Sequence, residues 1–103
     1  MKFGLTEHTL QLIINCISNF TAIDSAFLYG SRAKGNFKAG SDIDISLKGK
    51  NLTLKDVLKL ENEIDDLLLP YKFDICIYHQ INNPDLIEHI DRVGIEIYSK
   101  VEN

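Results

Sequence analysis

The stretch Gly30-Ser31-Arg32-Ala33-Lys34-Gly35, followed closely by Ser41-Asp42-Ile43-Asp44-Ile45, constrains this chain more than any other. The apolar run Ala26-Phe27-Leu28-Tyr29 leads into it and reads as a short buried strand stopped by glycine. Gly30 and Gly35 permit unusual backbone paths, while Ser31, Arg32 and Lys34 bring a hydroxyl and positive charge. Amides, a hydroxyl and cations in one short loop suit a phosphate chain. In a strand, residues two apart share a face, so Asp42 and Asp44 would point the same way, with Ile43 and Ile45 pointing into a core. Side chains so placed lie about 6.6 Å apart. Like charges at that spacing repel unless cations separate them, and a pair of divalent ions roughly 3.5–4 Å apart fits. A phosphate cradle beside paired carboxylates implies a nucleoside triphosphate handled with Mg²⁺.

Competing phosphate and metal motifs fail on detail. The loop has the outline of a G-x-x-x-x-G, but Asn36-Phe37 stands where Lys-Ser/Thr is required. An EF-hand loop needs a glycine after its acidic positions, and Asp42-Ile43-Asp44-Ile45-Ser46-Leu47 has none. No Rossmann G-x-G-x-x-G is present.

Elsewhere the pattern alternates helix and strand. Residues 6–20 read as a helix capped by Thr6, with Leu10, Ile13, Ile14 and Ile17 as its apolar stripe. A helix over Leu54–Leu69 opens on Thr53 with Asp56 as a capping box and stops at Pro70. Its apolar side reads as Leu54, Val57, Leu58, Ile64, Leu67 and Leu68. Lys72–Tyr78 alternates as a strand, with Phe73, Ile75 and Ile77 on one face and Asp74, Cys76 and Tyr78 on the other. Aspartate is disfavoured inside a strand, and Asp74 is there either as an edge-strand residue facing water or as part of a metal site shared with Asp42 and Asp44, a reading the upstream motif favours. Asn83-Pro84 starts a last helix, Gly94 stops it, and Ile95–Tyr98 reads as a short closing strand.

The phosphate loop ends the first strand and the carboxylates begin the second, so the two should run antiparallel. The second strand reaches the third through a helix, which implies parallel neighbours. The fold class is therefore α/β (α+β): a small mixed sheet of three to four strands, with helices packed on one face and the carboxylate face open.

The order apolar strand, Gly-Ser, basic loop and Ser-Asp-x-Asp resembles the DNA polymerase β-type nucleotidyltransferase superfamily. More narrowly it resembles the minimal nucleotidyltransferase domains, the MntA-like antitoxins of prokaryotic two-gene modules, over nearly the whole chain. The resemblance implies that Asp42, Asp44 and Asp74 are catalytic and hold Mg²⁺, two ions in all. Asp74 is either a metal ligand or a general base. It implies phosphate binding at Gly30 and Ser31, extended to the basic Arg32 and Lys34, and ATP as the substrate. It also implies a helical partner from a neighbouring gene, either HEPN-type or a substrate-binding bundle, because larger relatives carry a helical domain that this chain lacks.

Two other readings stand beside this one. A small-molecule nucleotidyltransferase would borrow the partner's pocket. A non-enzymatic binding module would neutralise its partner by contact, but contact alone requires no trio of aspartates.

The 103 residues suit a single domain, 1–103, of ordinary globular composition. A net charge of −4 argues against a direct nucleic-acid partner, whose binding surface would be basic. Cys16 and Cys76 form no metal or redox motif and read as reduced residues of a cytoplasmic protein. No apolar run is long enough for a signal peptide or a membrane span.

Overall fold

The computed structural model describes residues 1–100. The elements follow in the order α1 (Glu7–Ser18), β1 (Ser25–Tyr29), α2 (Ser31–Lys34), β2 (Ile43–Lys48), α3 (Leu54–Asp65), β3 (Phe73–Ile77), α4 (Pro84–Val93) and β4 (Ile95–Ser99). The four strands form one sheet in the order β3-β2-β1-β4. β1 is antiparallel to both β2 and β4, and β2 is parallel to β3. The mixed sheet expected from the loop and crossover arguments is the one observed.

Alternation sorts the sheet into two faces. Ala26, Leu28, Ile43, Ile45 and Leu47 are buried on one of them. They join Ile13 and Ile17 of α1 and Val57, Leu60 and Ile64 of α3 in a single apolar core. α1 starts where the Thr6 hydroxyl accepts the Thr9 N–H at 3.1 Å. α3 starts where the Asp56 carboxylate accepts the Thr53 N–H at 3.0 Å.

Four details depart from the sequence reading. α3 ends at Asp65, before Pro70. Leu54, Leu58 and Leu68 are exposed, and Leu60 takes the buried stripe with Val57 and Ile64. α4 does not join the other helices: its His89 meets Tyr29 and Gly30, on the sheet face away from the core. The expectation of helices on one face therefore holds for α1 and α3 only. Tyr78 leaves the β3 alternation for a 3-10 turn over Tyr78–Gln80, and its hydroxyl donates to Asp91 of α4 at 2.6 Å. No helix among the described residues is long and apolar enough to cross a membrane.

Candidate active site

The face opposite the core carries the chemistry. Register places Tyr29 of β1 opposite Asp44 of β2, and Asp44 opposite Asp74 of β3. These three side chains form a row across adjacent strands. The next row, Phe27, Ser46 and Cys76, lies beneath it. Tyr29 is buried, and its hydroxyl pairs with Cys76 Sγ at 3.6 Å. Burial is the main reason its hydroxyl is harder to ionise than a free tyrosine, with the Cys76 contact and the Asp74 and Asp44 charges adding to the effect. Ser46 is fully buried beside them, and its hydroxyl has no hydrogen-bond partner.

Asp42 lies just before β2 and is exposed, Asp44 is half-buried, and Asp74 is exposed. Burial pushes the Asp44 carboxyl above the usual carboxylate range, and the Asp74 and Asp42 charges push it further. The Arg32 guanidinium pulls the other way. Asp44 therefore feels the charge of both other aspartates. Such crowding of hard oxygen donors fits a divalent cation of the magnesium type. As the side chains stand, no three Asp, Glu, His or Cys groups among the described residues are gathered closely enough to hold an ion.

Gly30 follows β1 and caps α2 with φ 74° and ψ −156°, a backbone region open to glycine. The Asp44 carboxylate packs directly against its Cα, where a Cβ would stand. Gly30→Ala should therefore strain the turn and displace Asp44 together. Strain of this kind costs about 1–3 kcal/mol. A melting curve should show the loss.

Two expected phosphate ligands are otherwise engaged. The Gly30 N–H donates to His89 Nε2 at 3.1 Å. Arg32, expected to face phosphate, is instead buried beneath the loop at 2% exposure. Its Nη1 donates to the Phe3 carbonyl at 2.8 Å and its Nη2 to the Ser41 carbonyl at 2.8 Å, with Nε adding a third bond to Ser41 at 3.2 Å. Phe37 and Tyr71 stack against the guanidinium at 5.4 and 5.0 Å. A planar fork of donors suits several carbonyls at once, and that is how it is used here. Ser31 opens α2 with its side chain half-exposed, and Lys34 is exposed. Ser41 steadies the loop before Asp42, its hydroxyl accepting the Lys38 N–H at 2.8 Å.

Sequence reasoning passes over His89. It lies far along the chain, and a histidine within an amphipathic helix carries no local signal of what it meets.

A Gly-Ser turn set against paired aspartates, on the sheet face away from the core, defines a nucleotidyltransferase-type fold. The family model described as polymerase beta, nucleotidyltransferase matches residues 11–103, and the chain belongs to that family. No curated protein matches the sequence. Among solved structures, a chain of a toxin–antitoxin complex with AMP-PNP aligns with TM-score 0.70 at 18% identity, over 93% of this chain and 75% of that one. A chain of the tri-AMPylated HEPN toxin of Shewanella oneidensis in complex with an MNT antitoxin aligns with TM-score 0.68 at 16% identity, over 93% and 74%. A putative nucleotidyltransferase from Sulfolobus solfataricus aligns with TM-score 0.52 at 18% identity, over 90% and 82%. The likeness to the antitoxin structures, at these identities, is one of fold.

Proposed function

We propose that this protein is an antitoxin-type adenylyltransferase that moves AMP from ATP onto a hydroxyl of a helical, HEPN-type partner. The observation that carries the reading is the alignment of Asp44 with Asp74 beside the Gly30–Ser31 turn. The neighbours add support, since one structure holds AMP-PNP and another an AMPylated toxin.

Asp42, Asp44 and Asp74 would hold Mg²⁺. When bound, the metal neutralises triphosphate charge and favours the ionised acceptor oxygen. The chain's own groups do the rest. The half-exposed Ser31 hydroxyl would donate to a phosphate oxygen, and the exposed Lys34 can reach the triphosphate as a point charge. Gly30 offers close approach by lacking a side chain, not by its N–H, which His89 occupies. Arg32 binds no phosphate in this reading. It supports the loop from beneath.

The acceptor oxygen forms a bond to the α-phosphorus as the bond to the bridging oxygen breaks. Pyrophosphate leaves with that electron pair. The acceptor's proton passes to Asp74 or to water.

Incubation with α-labelled ATP, Mg²⁺ and the helical product of the neighbouring gene tests this. Label should appear on that protein and be absent with the Asp42→Ala/Asp44→Ala protein. Transfer only to a small-molecule acceptor would replace the protein-directed reading. Partner neutralisation by the double variant, with no transfer by either protein, would favour a contact-only module.

A further inference from the structure

We infer that His89, on the far side of the chain from the loop in sequence, is a positioning residue that holds the nucleotide-binding turn in register with Asp44. The inference rests on the nucleotidyltransferase reading for its consequence and on geometry for its substance.

β1 ends at Tyr29, whose register partner is Asp44, and the pairing does not extend to Gly30. The Gly30 N–H finds one in His89 Nε2. Nε2 can take this bond only as the ring's acceptor nitrogen. The imidazole also meets Tyr29 edge-on, with ring centroids 6.1 Å apart and planes at 78°. One side chain therefore touches two consecutive residues, Tyr29 in the carboxylate row and Gly30 in the turn. Gly30 is consequently held from two directions, by Asp44 against its Cα and by the imidazole on its N–H.

α4 is fixed well enough to serve as an anchor. Asn83 caps its start by accepting the Asp85 N–H at 2.9 Å, Ile90 is buried, and Tyr78 donates to Asp91. The turn it anchors is slight by comparison. α2 has four residues, and its Gly30 is free to adopt backbone conformations other than the one required. Without the imidazole, the Gly30 amide would lose its acceptor and the turn would sample other paths. Ser31, next in the chain, would lose its fixed place relative to Asp44.

The test compares wild type, His89→Ala and His89→Gln, the last keeping an acceptor of similar reach. The first readout needs no nucleotide: exchange of the Gly30 amide hydrogen, followed by NMR. His89→Ala should speed that exchange by about fivefold or more, the effect of losing one hydrogen bond, and His89→Gln should largely restore protection. The second readout is the split of KM from kcat in ATP-dependent transfer. His89→Ala should raise KM for ATP by about fivefold or more, with His89→Gln recovering most of it. Unchanged Gly30 exchange in His89→Ala overturns the inference. So does a His89→Gln protein that melts like wild type yet matches His89→Ala in both readouts. If wild type itself transfers nothing, the enzymatic reading fails, and the Gly30 exchange still decides whether His89 holds the turn.

Discussion

Asp44→Asn should abolish most nucleotidyl transfer while leaving the fold at least as stable at neutral pH. The activity loss should be about 10²–10³-fold, the scale of losing one contribution to transition-state charge stabilisation, here that of the metal Asp44 would help to hold. The stability outcome follows from the carboxyl's surroundings. Burial and the charges of Asp74 and Asp42 all disfavour an ionised Asp44, and only Arg32 opposes them. Asparagine keeps the shape and removes the charge. The sign of the pH dependence is fixed by the raised native pKa. The native state holds the Asp44 proton more tightly than the unfolded chain does. That contribution is fully present below about 3.9, the value for a free aspartate, and is lost as pH rises through the native value. Metal-free wild type should therefore lose ground to Asp44→Asn as pH rises from acid toward neutrality. Paired melting curves across pH check this. Added Mg²⁺ should raise the wild-type melting temperature more than that of Asp44→Asn, because a ligand stabilises the state that binds it. A variant that melts well below wild type at neutral pH would show that Asp44 is structural.

Arg32→Ala should be among the most destabilising single changes in the protein. The guanidinium bonds to the Phe3, Ser41 and Ala39 carbonyls and stacks on two rings. It thereby ties the N-terminal turn to the loop that delivers Asp42. The single ion pair among the described residues is the exposed Arg92–Glu88, so Arg32 is held by carbonyl dipoles and aromatic faces and not by a carboxylate. Truncation leaves orphaned acceptors and a cavity together. Losses of this kind run to about 3–5 kcal/mol. For a domain of this size that is a fall of at least about 12 °C in melting temperature. Arg32→Lys should recover less than half of it, because one ammonium cannot reproduce the planar fork. Were Arg32 instead a phosphate ligand, Arg32→Ala would melt like wild type and lose only affinity for ATP.

Much of the fold was legible because its signals are local. Thr6 and Thr53 cap helices where hydroxyl-to-amide geometry allows, Asn83-Pro84 opens one, and glycines end strands. The antiparallel β1–β2 pair and parallel β2–β3 pair follow from connection lengths and from where the loop and carboxylates must meet. Less legible was the inner stripe of α3. Leucine recurs at several phases there, and which of them faces the sheet depends on the angle at which the helix lies.

Arg32 shows the same division within the site. Local sequence puts an arginine in a basic glycine-flanked loop, and that pattern is the same for a cation facing phosphate and for one turned inward. What turned it inward was the arrival of Phe3 and Tyr71 from distant segments, which supplied a carbonyl and a ring at the right place. His89 is the reverse case, a residue without a local pattern that the packing of α4 brings to the loop.

By itself the sequence determined the element order and the mixed sheet, because strand periodicity and turn chemistry are short-range properties. Tertiary structure alone decided that Asp44 stands opposite both Tyr29 and Asp74, that Arg32 supports the loop from within, and that His89 holds Gly30. These depend on register and packing between segments distant in the chain, and such contacts are set by the whole core closing at once.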